Sequence, residues 1–173
     1  MWRRTAENAV LFAYTKSDFM LTTTECTSEI LRSIMNADKT HPNAEKSLPI
    51  KILIVDDDMR TRKGLIALLE TIHLTVTDTT CPRIELVGEA ANGLEALQMV
   101  ETTNPDIVLM DIQMPETDGL QATREIKAKF PDIKIIILTV RSASRTAALD
   151  AGADAFLTKG GATRELVDTI FNL

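Results

Sequence analysis

Apolar residues in this chain fall into short unbroken runs, and two of those runs stop abruptly in acid. Residues 51–58 read Lys-Ile-Leu-Ile-Val-Asp-Asp-Asp, and residues 106–115 read Asp-Ile-Val-Leu-Met-Asp-Ile-Gln-Met-Pro. Four or five β-favouring residues without polar alternation suit a strand buried on both faces, as in a parallel sheet covered by helices. Further apolar runs at 84–88, 134–139 and 154–158 bring the predicted strands to five. Helical patterns lie between them. Gly64, Leu65, Ala67, Leu68 and Leu69 follow the first acids, residues 94–100 follow Asn92-Gly93, residues 122–129 end before Pro131, and residues 147–151 end at Gly152. Glycine and proline are the expected helix breakers. Strict strand–helix alternation predicts an α/β fold: a doubly wound, five-stranded parallel sheet between two helical layers.

The remaining chain is read differently. Residues 36–49 carry two prolines, many turn formers and little apolar content, which is the composition of a linker. The expected organisation is an N-terminal extension over 1–49 and a folded domain over 50–173. Within the extension, Ile30, Leu31, Ile34 and Met35 share one helical face, giving one short amphipathic helix in an otherwise disordered segment. The threonine-rich residues 71–83 read as a surface insertion between the first helix and second strand, with Leu74 and Val76 as a strand stub.

Charge and composition narrow the function classes. Net charge is −6, and the first 49 residues hold six basic and six acidic side chains, so the whole excess falls on residues 50–173. Such a domain repels nucleic acid on average. The longest apolar run, residues 9–14, is far short of the ~20 residues a membrane helix needs. Cys26 and Cys81 have no metal-ligand or disulfide spacing and read as reduced thiols of a cytoplasmic protein. His41 and His73 read as surface histidines.

The chemistry lies at the strand ends. In open α/β sheets ligands bind outside the carboxyl ends of the strands. If the third strand neighbours the first, as in a 2-1-3-4-5 sheet, the Asp111 carboxylate lies beside those of Asp56 and Asp57. Like charges ~4 Å apart repel by about 4 kcal/mol at an effective dielectric of roughly 20, which a hard divalent cation relieves. Asp58, just past the pair, reads as a solvated acid in the first turn of a helix.

Four stretches together resemble the receiver domain of bacterial two-component response regulators: the acids at 56–58, Met-Asp-Ile-Gln-Met-Pro around Asp111, Thr139 after Ile-Ile-Ile-Leu, and Lys159 after Ala-Phe-Leu-Thr. The match covers residues 50–173 and implies a flavodoxin-like, CheY-like fold. It implies Asp111 as phosphoacceptor, with Thr139 and Lys159 meeting the phosphoryl oxygens. It also implies Mg²⁺ (or Mn²⁺) on Asp57, Asp111 and the Gln113 main-chain carbonyl, with Asp56 acting mainly through water. Thr139 and Phe156 are then the switch, acting on the fourth helix, fifth strand and fifth helix. The implied partners are a sensor histidine kinase or phosphotransfer protein, with a receiver homodimer allowed. The domain is then not an enzyme, beyond catalysing its own phosphorylation and dephosphorylation. The side chains at Gln113 and Arg141 are implied to set the phosphoryl lifetime.

Departures from the pattern are Gly160-Gly161 after Lys159, where proline is common, and Val140, bulkier than the usual small residue. The chain also ends at Leu173 after one short helix, where many relatives continue into a helix-turn-helix domain. Two other readings compete. One is a vestigial, non-phosphorylated interaction module from a truncated DNA-binding regulator. The other is a haloacid dehalogenase-like phosphatase with Asp56 and Asp58 as its acid pair, a reading that leaves Asp111 without a role.

Overall fold

The computed structural model describes residues 48–75, 83–114, 118–140 and 142–173. Five strands, β1 (Ile50–Val55), β2 (Ile84–Ala90), β3 (Ile107–Met110), β4 (Lys134–Thr139) and β5 (Ala155–Thr158), form one sheet. They alternate with helices α1 (Met59–Thr75), α2 (Gly93–Thr103), α3 (Gly119–Lys129), α4 (Arg145–Asp150) and α5 (Thr163–Asn172). All four strand pairings are parallel and the order is β2-β1-β3-β4-β5. This is the doubly wound parallel sheet expected from the alternation, in the flavodoxin-like order that the receiver resemblance implies.

Alternate residues of each strand feed two separate cores. Leu53, Val55, Val108, Met110, Ile135 and Ile137 pack with Ala96 and Val100 of α2, Ala122 and Ile126 of α3, and Ala148 of α4. Ile52, Ile54, Leu109, Ile136 and Leu138 pack on the other face with Leu65, Leu69 and Ile72 of α1 and Leu166, Val167 and Ile170 of α5. Each such buried side chain contributes about 1.5–3 kcal/mol of transfer free energy. Every residue of β3 is buried, which is why its sequence shows no polar alternation.

Two expectations about residues 71–83 are corrected. Residues 71–75 belong to α1 and are neither surface insertion nor strand. Ile72 is 4% exposed and extends the stripe of Leu65 and Leu69 by one more turn, and the Thr71 hydroxyl donates to the Ala67 carbonyl at 2.7 Å. Burial of that face outweighs the modest helix propensity of threonine. Leu74 is therefore helical. Val76, Cys81, the helix expected around Ile30 to Met35, Cys26, His41 and Arg141 lie outside the described residues.

Local signals fix the helix starts. Asn92 caps α2 by accepting from the Glu95 amide, and Glu95 returns a bond to the Ala91 amide, so two orphan donors are satisfied reciprocally. Asp118 caps α3 through the Leu120 amide.

Candidate functional site

Strand register alone brings the acids together. β1 and β3 pair Val55 with Met110, so the next residue of each strand, Asp56 and Asp111, emerges at the same level. The last ladder bonds continue past the strands: the Asp56 amide donates to Ala90 O at 3.1 Å and the Asp111 amide to Val55 O at 2.8 Å. Both side chains are buried, at 2% and 5% exposure, while Asp57 is exposed. Carboxylate oxygens of Asp56, Asp57 and Asp111 all lie within 4.8 Å of one another.

β4 and β5 complete the ring. Thr139 pairs with Thr158, and the Lys159 amide donates to Thr139 O at 2.8 Å, so Lys159 leaves the sheet directly beside the acids. Its ammonium lies 2.6 Å from Asp56 Oδ2 and 2.5 Å from Asp111 Oδ2. The other oxygen of each acid accepts a backbone amide: Asp58 N–H on Asp56 Oδ1 at 3.0 Å, and Gln113 N–H on Asp111 Oδ1 at 3.1 Å. Both acids are thus held at two points.

Burial pushes the Asp56 carboxyl above its usual value, more than the bonds from Lys159 and the Asp58 amide pull it back. Burial also acts to lower the Lys159 pKa, but its hydrogen bonds and attraction to Asp111 and Asp56 prevail and hold it above the ordinary lysine value. The ammonium is therefore charged throughout the physiological range. Three carboxyl groups converging beside one ammonium make an all-oxygen donor set, which suits a hard divalent cation.

The other expected residues surround this cluster. Thr139 is fully buried, and Phe156 is buried two positions before Thr158, the strand partner of Thr139. The Arg145 guanidinium carbon stands 5.9 Å from the centre of the Phe156 ring. Val140 is exposed next to Thr139, and Gly160 has φ of +86°, a conformation that favours glycine. Asp58 turns away from the acid cluster to cap α1, accepting from the Arg60 amide and the Thr61 hydroxyl.

Three residues were not legible as part of the site. Arg62 donates to the Asp56 and Asp57 carbonyls and pairs with Glu89 at the end of β2. A Cβ at Gly119 would stand 2.1 Å from the Asp111 carbonyl oxygen. The available signal was positional: an arginine on the helix after the acids, an acid near the end of the strand beside β1, and a glycine eight residues beyond Asp111.

A parallel α/β sheet in this order, with acids on the first and third strands and a lysine after the fifth, defines the receiver class of phosphorelay signalling domains. Residues 52–171 match the family model of the response regulator receiver domain, and the chain belongs to that family. It is 47% identical over 122 residues to the uncharacterized transcriptional regulatory protein YhcZ of Bacillus subtilis, covering 69% of this chain and 53% of that protein. Response regulator GacA of Pseudomonas syringae is 37% identical, with 70% and 53% covered. Among solved structures, a LuxR-family two-component response regulator from Aurantimonas superposes with a TM-score of 0.62 at 35% identity, covering 70% of this chain and 82% of that one. The chain spans about half the length of the curated relatives it matches. No helix among the described residues is long and apolar enough to cross a membrane.

Proposed function

We propose that Asp111 accepts a phosphoryl group from a phosphohistidine on a sensor histidine kinase or phosphotransfer protein. The observation that carries this is the position of the Asp111 carboxylate, beside Asp56 and Asp57 and against the Lys159 ammonium. An Asp111 carboxylate oxygen attacks phosphorus, the P–N bond breaks with its electron pair going to the imidazole, and an acyl phosphate remains. Such transfers pass through a loose transition state, so positioning and charge neutralisation do most of the work.

Asp57, Asp111 and the Gln113 carbonyl are the residues to hold Mg²⁺, with Asp56 acting through water. The ion, when bound, supplies positive charge at the phosphoryl oxygens. Lys159 supplies a second positive charge, and the Thr139 hydroxyl donates to an equatorial oxygen. The aspartyl phosphate carries about −1.5 to −2 charges, taking the aspartyl phosphate itself to titrate as phosphorylated side chains do. Movement of Thr139 toward it vacates space that the Phe156 ring fills, shifting the population between two packings of α4, β5 and α5. That face then signals to a partner or output segment, and a receiver homodimer is one such partner. A cytoplasmic location fits a phosphohistidine donor.

The phosphatase reading has little support: Asp58, its second acid, caps a helix, and that reading leaves Asp111 without a role although it sits in the same cluster. The test is the intact mass of the full chain after incubation with Mg²⁺ and acetyl phosphate. One phosphoryl adduct, lost in Asp111→Ala and in chelator and retained in Asp58→Ala, is expected. A folded wild type that takes no adduct would overturn the phosphoacceptor reading in favour of a vestigial interaction module.

A further inference from the structure

The turn carrying the acids of the candidate metal site is held from behind by a cation bound to their main-chain carbonyls. Arg62, on the first turn of α1, is 14% exposed. Its Nη1 donates to the Asp56 carbonyl at 2.7 Å and reaches the Asp57 carbonyl at 3.4 Å, while its Nε donates to Glu89 Oε2 at 2.8 Å. Glu89 is fixed in turn by strand register, opposite Ile54 of β1 and one residue before Ala90, whose carbonyl accepts the Asp56 amide.

We propose that Arg62, clamped by Glu89, is a positioning residue that sets the β1–α1 turn so that Asp57 is presented to the divalent cation. The proposal rests on the metal reading given above. Two successive carbonyls in a turn that already bears two carboxylates add further negative ends to a crowded site. Arg62 draws both carbonyls to the far side of the turn, which fixes the peptide planes flanking Asp57 and hence the direction of its side chain. A flexible ammonium could not span the same acceptors, whereas the planar guanidinium offers several donors in a rigid fork. Glu89 has a second effect. It neutralises Arg62, so the cation strengthens the turn without competing with the metal for carboxylate. Partners that orient metal ligands from behind typically carry 10–100-fold in metal affinity.

The experiment uses the full chain and Mn²⁺ as the probe, with binding followed by electron paramagnetic resonance, and amide exchange measured without added cation. Arg62→Gln is expected to weaken Mn²⁺ binding about 10–100-fold. It should also speed exchange at the Asp58 amide, which depends on the turn, while leaving the amide of the buried Leu69 unchanged. Glu89→Gln should lie between, and the double variant should be no weaker than Arg62→Gln, because the two act through one another. Mn²⁺ affinity within twofold of wild type in Arg62→Gln would overturn the clamp while leaving the metal site standing. A wild type that binds no Mn²⁺ would overturn both.

Discussion

At the residue scale, the site is built by backbone positions as much as by charged side chains. Gly119 lies against the Asp111 main chain, and the Cβ of an alanine would meet the Asp111 carbonyl oxygen at 2.1 Å and Ile112 Cα at 2.8 Å. Both are backbone atoms that no rotamer change can move aside. Gly119→Ala is expected to cost about 1–3 kcal/mol in urea unfolding, the range for overpacking, and to slow phosphorylation of Asp111 by displacing it. A variant as stable and as fast as wild type would show that α3 can shift freely away from β3. Lys159 gives a second prediction. Lys159→Met leaves two buried carboxylates without their cation, for a loss of about 3 kcal/mol, the lower end of the range for a broken buried pair. Added Mg²⁺ should restore more stability to this variant than to wild type; equal unfolding midpoints in chelator would show that Asp56 takes up a proton instead. Asp56, Asp57, Asp111, Thr139 and Lys159 were legible because each follows an apolar run at a strand end. Arg62, Glu89 and Gly119 were not, because their roles depend on which backbone atoms lie opposite them in a neighbouring element.

At the element scale, the end of the sheet remote from the acids is held by Asp154. Its Oδ2 accepts the Ile135 amide at 2.9 Å and lies 2.7 Å from Lys127 Nζ of α3, while Lys134 Nζ reaches Oδ1 at 3.4 Å. Lys127 also donates to the Ile133 carbonyl, so one carboxylate ties α3, β4 and the start of β5 together. Burial alone would raise the Asp154 pKa, but Lys127, the Ile135 amide and Lys134 together hold it below the usual 3.8. A carboxyl depressed on folding stabilises the fold above its unfolded value and loses that contribution as pH falls through the folded one. Asp154→Asn keeps an acceptor for Ile135 and removes the charge. It should therefore be less stable by about 1.5–3 kcal/mol near neutral pH, with the gap closing as pH falls below about 3.8. Urea unfolding of both proteins from neutral to acid pH measures this; a gap that persists in acid would mean that packing, and not charge, holds the junction. Sequence pattern placed all five strands to within two residues at each end, since uninterrupted apolar runs mark buried parallel strands. It misjudged the end of α1 because the threonine-rich composition from Thr71 onward reads as non-helical, and only the burial of Ile72 reveals that the helix continues.

At the scale of the whole molecule, both hydrophobic cores, among the described residues, run from Leu53 or Ile52 to no further than Ile170, and the family match runs from 52 to 171. A segment of this length is in the ordinary size range for an independent domain with one continuous core per sheet face. The first strand begins at Ile50, and its first amide donates to Arg83 O at 2.7 Å, which ties the start of β1 to the start of β2. Removing residues 1–47 should then leave the urea midpoint within about 0.5 kcal/mol of the full chain. The slope of the transition should also be unchanged, because it tracks the surface exposed on unfolding, and a segment that packs on the domain adds to that surface. Phosphorylation of Asp111 by acetyl phosphate should proceed at the same rate. A lower midpoint with a smaller slope would instead place part of the N-terminal segment on the domain as a structural element. An unchanged midpoint with faster phosphorylation would point to a segment that covers the strand ends and restrains the site, so stability and rate measured together separate the two kinds of contact.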